Sequence, residues 1–248
     1  MRHLACCGLL LLCVQAGWAA EQPAVKVFTV GVEDYENWLP YSEYSNGHYG
    51  GLGRAILDAF AAHKGYRFDY RVYPLKRRDW LFMRGELDFS FPDNPNWVVE
   101  LRAGLDIAYA PMLDFIDGVL VLPEHKGKGV ERLKLLGIPL GFTPYPYASL
   151  IESGAVRVEE SRDYDSLYLK LIKKRVDGVY VNTRIAKYYW ANIQKSEQVV
   201  FVFDPELPYA SGSWYLSSIR HPRVIEEFEV FMRDNPQLIE RLKQQYGF

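Results

Sequence analysis

Cysteine is missing from this chain wherever a folded domain could use it. The three residues of that type, Cys6, Cys7 and Cys13, all fall within the first 20 of 248 positions. Beyond them no disulfide, thiolate nucleophile or cysteine-held metal can be built. Histidine is scarce too. His3, His48, His63, His125 and His221 stand at no metal-ligand spacing, so no metal site is expected. Neither sign of charge dominates: 29 Lys and Arg face 31 Asp and Glu, a net charge of −2. A nucleic-acid binder needs a basic face, and this balance argues against one. After residue 20 no apolar run approaches the ~20 residues that span a bilayer. Internal repeats, low-complexity tracts and heptad seams are also wanting. What remains, 49% hydrophobic and 24% charged residues, is the balance of an ordinary globular domain or pair of domains.

The first 20 residues read as an export signal rather than as part of the fold. Arg2 and His3 give a basic start, residues 4–14 are apolar with an unbroken run at 9–14, and residues 15–20 are small or permissive. That pattern is too short to span and is followed by a cleavage region. Cleavage after Ala19 puts Gly17 and Ala19 at the two positions that want small side chains; cleavage after Ala20 would put Trp18 at one of them. The expected compartment is the periplasm, without stable membrane insertion.

Downstream, short β-branched runs alternate with helical periods. Residues 25–32 (VKVFTVGV) read as a buried strand, and 54–64 as a helix with Ile56, Ala59, Phe60 and His63 on one face, stopped by Gly65. Residues 66–72, 87–91, 116–122, 138–142, 156–159, 178–181 and 199–203 read as strands. Residues 74–84, 130–136, 148–153, 165–174, 183–193, 221–233 and 236–245 read as helices, and 123–129 as an exposed crossing or turn. Alternation of this kind is α/β logic. Two such blocks with strands at the joins suggest two lobes with two crossings.

Several short motifs occur in a recognisable order. Val30-Gly31-Val32 is followed by Leu39-Pro40-Tyr41, and Gly51-Leu52 opens a helix closed by Gly65. Pro74-Leu75-Lys76-Arg77 precedes Gly85-Glu86-Leu87-Asp88, and Glu100-Leu101-Arg102 precedes Pro111 by nine residues from Arg102. Gly141 leads to Tyr145-Pro146-Tyr147-Ala148, and Arg175-Val176-Asp177-Gly178-Val179 follows. Together they resemble the family 3 extracellular solute-binding proteins, the periplasmic receptors of polar amino-acid uptake systems. The resemblance implies a two-lobed, periplasmic-binding-protein-like α/β fold of type II, with the ligand in a cleft between lobes joined by two hinge crossings. The implied division is 1–19 signal peptide, 20–118 first lobe, 119–200 second lobe and 201–248 return to the first lobe.

The resemblance also implies site residues. Arg102 stands where the family grips a ligand carboxylate, and a guanidinium fork suits that task. Asp93, in the stretch FPDNPNW that replaces the family's small turn, could meet a ligand cation or simply make a turn. Tyr35, Trp38 and Tyr41 come from an aromatic-rich loop able to cover a ligand's body. Arg77 matches a subfamily arginine, although Lys76 and Arg78 beside it also fit a solvated basic face. Tyr145 and Tyr147 precede a helix start, where free N–H groups can hold an anion. Asn182 stands where amino-acid receptors carry the acid that holds the α-amino group. It is neutral, and it makes amine recognition at that position doubtful.

The expected function is capture of a small polar, carboxylate-bearing ligand, an amino acid or a relative, for ABC-type uptake. The expected partners are that ligand and the transporter's membrane subunits. The expected state is a monomer without cofactor. Two alternatives are a ligand-sensing receptor for a membrane signalling partner and an enzyme resembling the periplasmic cyclohexadienyl dehydratases. Such an enzyme needs a positioned carboxylic acid with a raised pKa. The stretch 49–53 is glycine-rich but lacks the Lys-Ser/Thr of a phosphate loop, and Ser211-Gly212-Ser213 does not fit a nucleophile elbow. The expectation is therefore a binding protein, not an enzyme.

Overall fold

A computed structural model describes residues 25–34, 38–193 and 201–248. The proposed signal peptide and Tyr35 lie outside that range. The first half runs β1 (Lys26–Glu33), β2 (Glu43–Ser45), β3 (His48–Gly50), α1 (Leu52–Lys64), β4 (Tyr66–Tyr73), α2 (Leu75–Met83), β5 (Phe89–Asp93) and β6 (Ala108–Val121). The second runs β7 (Leu135–Pro139), α3 (Ala148–Glu152), β8 (Arg157–Ser161), α4 (Tyr164–Ile172), β9 (Gly178–Asn182), α5 (Thr183–Tyr188), β10 (Val202–Phe203), β11 (Ala210–Ser218), α6 (Pro222–Asp234) and α7 (Pro236–Gln245).

The main sheet has the order β4-β1-β5-β11-β6-β9-β7-β8, with β10 also on β6. On one side β1 lies parallel to β4 and β5. On the other β7 lies parallel to β8 and β9. The antiparallel strands β6 and β11 join the two sides. β6 is 14 residues long. Its length as far as Asp117 pairs with β11, and residues 117–120 pair with β9. Asp117 is paired on both of its edges, and there β6 passes from one side of the sheet to the other.

Local chemistry explains the elements. α1 turns Leu52, Ile56, Leu57, Phe60 and Ala61 inward, and Gly65 ends it in a left-handed conformation at φ 69°. Gly51 before it has φ 95°, and a Cβ there would come within 2.5 Å of the Ser42 Cα. Both facts demand glycine. The alternation of 66–72 becomes β4, whose eight pairs with β1 run from Lys26↔Tyr66 to Glu33↔Tyr73.

Four segments differ from the sequence expectation. The strand expected at 116–122 begins eight residues earlier, at Ala108. Pro111 does not break it because Pro111 pairs with Tyr215, where the register with β11 shifts. The helix expected at 130–136 is one tight turn (Val130–Arg132), and β7 already starts at Leu135. The helix expected through 193 ends as α5 at Tyr188 and continues as a π-helical turn (Tyr189–Ile193). β11 has no counterpart in the sequence expectation, because Ser211, Gly212 and Ser213 dilute its alternation.

Candidate functional site

Aromatic side chains from both sides of the sheet meet near β6 and β11. Trp38, in the loop after β1, stacks on Trp214 of β11 at 5.3 Å and 15°. Trp214 stacks in turn on Phe115 of β6 at 5.6 Å. Trp38 also meets Phe142, beyond β7, edge-on at 5.9 Å. Phe142 packs on Tyr180 of β9 at 6.3 Å, and Tyr180 on Tyr147 at 5.8 Å. Trp38, Trp214, Tyr180 and Tyr147 are all at most 1% exposed. Each such ring pair contributes about 0.5–1.5 kcal/mol beyond its burial. Tyr41 lies 4.4 Å from Trp214 and donates its hydroxyl to the Asp114 carbonyl at 2.7 Å. Burial pushes the Tyr41 phenol up to about 12.

Beside these rings sits a carboxylate that the sequence reading did not single out. Asp117 pairs in register with Asn182, and Val119 with Tyr180. The period of two therefore puts Phe115, Asp117, Asn182 and Tyr180 on one face of the sheet. Asp117 is 2% exposed. Its Oδ1 accepts from Asn182 Nδ2 at 2.9 Å. Burial pushes its carboxyl up to about 7, and the Asn182 hydrogen bond only partly opposes this. Among the described residues no Lys, Arg or His forms an ion pair with it. Its charge in turn helps raise the phenols of Tyr145 and Tyr180, for which burial is the larger cause.

Asn182 is neutral for a reason visible here. Its side-chain oxygen caps α5, accepting from the Arg184 and Ile185 N–H groups at 3.0 Å each. Its amide nitrogen faces Asp117. An aspartate at 182 could still cap the helix but would set two buried carboxylates against each other.

The arginine expected to grip a ligand is engaged through Nη1, while its Nε and Nη2 are buried without a hydrogen-bond partner among the described residues. Arg102 is 6% exposed. Its Nη1 donates to Asp93 Oδ1 at 2.8 Å and lies 3.2 Å from the Tyr109 hydroxyl. Its Nη2 is 3.9 Å from Asp79 Oδ1. Asp93, fully buried, also accepts a short hydrogen bond from Ser217. Next to this pair lies a second buried arginine, Arg78. It donates to Glu33 Oε2 at 3.2 Å, to the Pro92 carbonyl at 2.8 Å and to Asp79 Oδ1 at 2.7 and 3.1 Å. The cluster holds three acids (Glu33, Asp79, Asp93) and two arginines. Burial pushes the Glu33 carboxyl up to about 7 despite Arg78, which lets a proton on Glu33 balance the five groups.

The remaining expected residues stand as follows. Arg77 lies on the exposed face of α2, its guanidinium 5.4 Å from the Tyr73 ring centroid. Tyr145 is half-buried in the turn before α3, with a hydrogen bond from Asn96 lowering the phenol that burial raises. The structure thus brings Trp38, Tyr41, Tyr147 and Asn182 to one junction, sets Arg102 and Asp93 against each other, and leaves Arg77 at the surface. Sequence reasoning missed Asp117, Trp214, Glu33, Arg78 and Asp79. One signal could have found Asp117: in the alternating run 115–119 it occupies an inward position between Phe115 and Val119.

A cleft of about 400 Å³ adjoins these rings, between residues 114–116 and the start of α5, with Tyr41, Phe115, Thr183, Arg184 and Lys187 on its walls. Across the sheet's two sides, Lys76 reaches Glu160 at 3.3 Å, and the same oxygen accepts from the Gly141 N–H at 3.1 Å. No cluster of metal-ligating groups exists among the described residues, and no helix among them is long and apolar enough to cross a membrane.

No family model and no curated protein matches the chain. Solved structures do. A substrate-binding protein of an ABC uptake transporter from Streptococcus pneumoniae, with bound histidine, aligns at TM-score 0.69 and 14% identity, over 89% of this chain and 92% of its own. A mutant of ArgBP from T. maritima aligns at 0.68 and 14%, over 89% and 94%. A periplasmic binding protein of an arginine transport system from Legionella pneumophila aligns at 0.67 and 15%, over 89% and 99%. The chain has the α/β fold of the two-lobed periplasmic binding proteins. These three solved structures are binding proteins rather than enzymes.

Proposed function

We propose that this chain is an exported, periplasmic solute-binding protein. It captures a small polar ligand between its two lobes and delivers it to the membrane subunits of an ABC-type transporter, as a monomer and without a cofactor. The lobes of this reading are residues 20–118 with 201–248, and residues 119–200. The observation that carries it is the ring-lined junction: Trp38 from the β1 side meets Phe142 from the β7 side at 5.9 Å, over the strands β6 and β11 that join the two sides. Rocking about those strands would part the rings and admit a guest. The shared fold with proteins whose names report bound histidine or arginine transport supports the same reading.

Asp93 takes Nη1 of Arg102, while Nε and Nη2 are buried without a hydrogen-bond partner among the described residues, so a ligand carboxylate there would share the guanidinium with Asp93. Titration calorimetry against amino acids, amines, dicarboxylates and sugars tests the proposal. Saturable one-to-one binding supports it, and no heat from any class contradicts it. Carboxylate binding abolished by Arg102→Ala would restore Arg102 to the site. An enzymatic reading has one observation in its favour: the buried Asp117 carboxyl, pushed up to about 7, is the kind of acid that a dehydratase needs. Turnover of prephenate by the purified chain would favour that reading over capture.

A further inference from the structure

The cleft of about 400 Å³ beside residues 114–116 has the size of a small-molecule site and a role that capture at the ring junction does not use. Tyr41, Phe115 and Ile116 supply the apolar part of its walls. Ile116 is 43% exposed there. The polar part is mainly basic. Arg184 and Lys187 both line the cleft. They are three residues apart on α5, hence on one helix face. Both are exposed, and among the described residues neither forms an ion pair. The acid on the walls is Asp114, whose Oδ1 accepts from the Ser213 hydroxyl at 3.1 Å.

The arginine is held in place by its neighbours. Its guanidinium stacks over the Phe248 ring at 3.9 Å from the centroid. Phe248 in turn meets Tyr41 edge-on at 4.9 Å, and Lys243 Nζ brings a third cation to 5.5 Å from the same ring. A ring takes the face of a guanidinium and leaves its N–H edge free, and that edge is what a carboxylate meets. The start of α5 is fixed as well. Thr183 Oγ1 donates to the Ile116 carbonyl at 3.2 Å. The Arg184 and Ile185 N–H groups already serve Asn182, so the side chains and not the helix end offer the free donors. Arg102 belongs elsewhere. Its contact Tyr109 lies on β6 five residues before Asp114, roughly 17 Å away along an extended strand.

We propose that this cleft is an anion site independent of Arg102. Its ligand is a small organic acid with an apolar body, an aryl or alkyl carboxylate. The carboxylate meets Arg184 and Lys187, and the body lies against Tyr41, Phe115 and Ile116. The site is additional to the ring junction, and the solute-binding reading stands whether or not it exists.

The test uses the full chain purified after export and titration calorimetry. Phenylacetate carries the charge, phenylacetamide is its neutral isostere, and inorganic phosphate is an anion without an apolar body. The expected result is saturable one-to-one binding of phenylacetate, at least about 10-fold tighter than either of the other two. Arg184→Gln with Lys187→Gln should weaken it at least about 10-fold. Lys187→Gln alone leaves the Arg184 stack intact and should weaken it less. Lys126→Gln with Lys128→Gln removes two exposed lysines elsewhere and should leave affinity unchanged, as should Arg102→Ala. Melting curves should keep all four variants folded. No saturable binding of phenylacetate, equal binding of phenylacetamide or phosphate, or unchanged affinity in the Arg184→Gln, Lys187→Gln pair would overturn the inference. Binding lost in Arg102→Ala but kept in that pair would overturn it too, and would place the anion at Arg102.

Discussion

Replacing Asp117 by asparagine should stabilise this protein at alkaline pH and do little at acid pH. The carboxyl is raised from the ordinary aspartate value of 3.8 to about 7, burial being the main cause. A raised carboxyl pKa means that the folded state binds the proton more tightly than the unfolded one. The stability that this proton confers is present in full below the unfolded value and drains away as pH climbs from there through 7. At roughly 1.4 kcal/mol per pH unit, the rise corresponds to a penalty of about 4 kcal/mol in the ionised state. The asparagine side chain in Asp117→Asn carries no charge, and its carbonyl could still accept from Asn182 Nδ2. Urea unfolding of parent and variant at pH 4 and pH 8 should show the variant more stable by about 2–4 kcal/mol at pH 8. At pH 4, where the carboxyl is protonated in the folded parent and partly so in the unfolded chain, the two should agree within about 1 kcal/mol. A variant less stable than the parent at pH 8, or a difference independent of pH, would refute the view that Asp117 is a buried, uncompensated charge.

The other predictions concern its neighbours and the Arg78 cluster. Glu33→Gln should flatten part of the parent's fall in stability between pH 5 and 8, because the Glu33 carboxyl also rises, from 4.5 to about 7. The new amide keeps an oxygen for Arg78, so urea curves at pH 8 should place Glu33→Gln level with the parent or above it. Asn182→Ala removes the cap of α5 and the hydrogen bond to Asp117, and should cost about 1–3 kcal/mol by the same assay at pH 8. Lys76→Ala breaks an ion pair whose lysine side chain is 72% exposed. It should change the unfolding free energy by less than about 1 kcal/mol, and a larger loss would mean that this contact holds the two sides together.

The parts of the fold that are legible in the sequence are those where local chemistry and tertiary role agree. α1 has an inward stripe and a glycine stop, and β4 alternates. The 130–136 stretch misleads because a short apolar segment suits helix or strand equally, and β7 is completed by partners that sequence does not reveal. β11 escapes notice because a strand lying between two others needs no apolar pattern of its own where its residues are serine and glycine. For the site, the family resemblance singles out Trp38, Tyr41, Tyr147 and Asn182, and all four are buried near the strands that join the two sides; whether they bind a ligand is a matter for experiment. The resemblance cannot reveal pairing. Arg102 and Asp93 are nine residues apart, and only the path of the chain between β5 and β6 sets one on the other. Arg77 and Arg78 are chemically alike in the sequence, and the phase of α2 alone decides which is buried.

The central claim is that two halves close on a guest. Small-angle scattering of the purified chain, with and without whichever compound saturates it in calorimetry, tests this most directly when paired with a melting curve. At ligand 100-fold above its dissociation constant, mass action adds about 2.7 kcal/mol, which is a rise of about 5–10 °C for a chain of this size. The account predicts that rise together with a smaller radius of gyration. A saturable ligand that leaves the scattering profile unchanged, or a metabolite library that leaves both measurements flat, would contradict it.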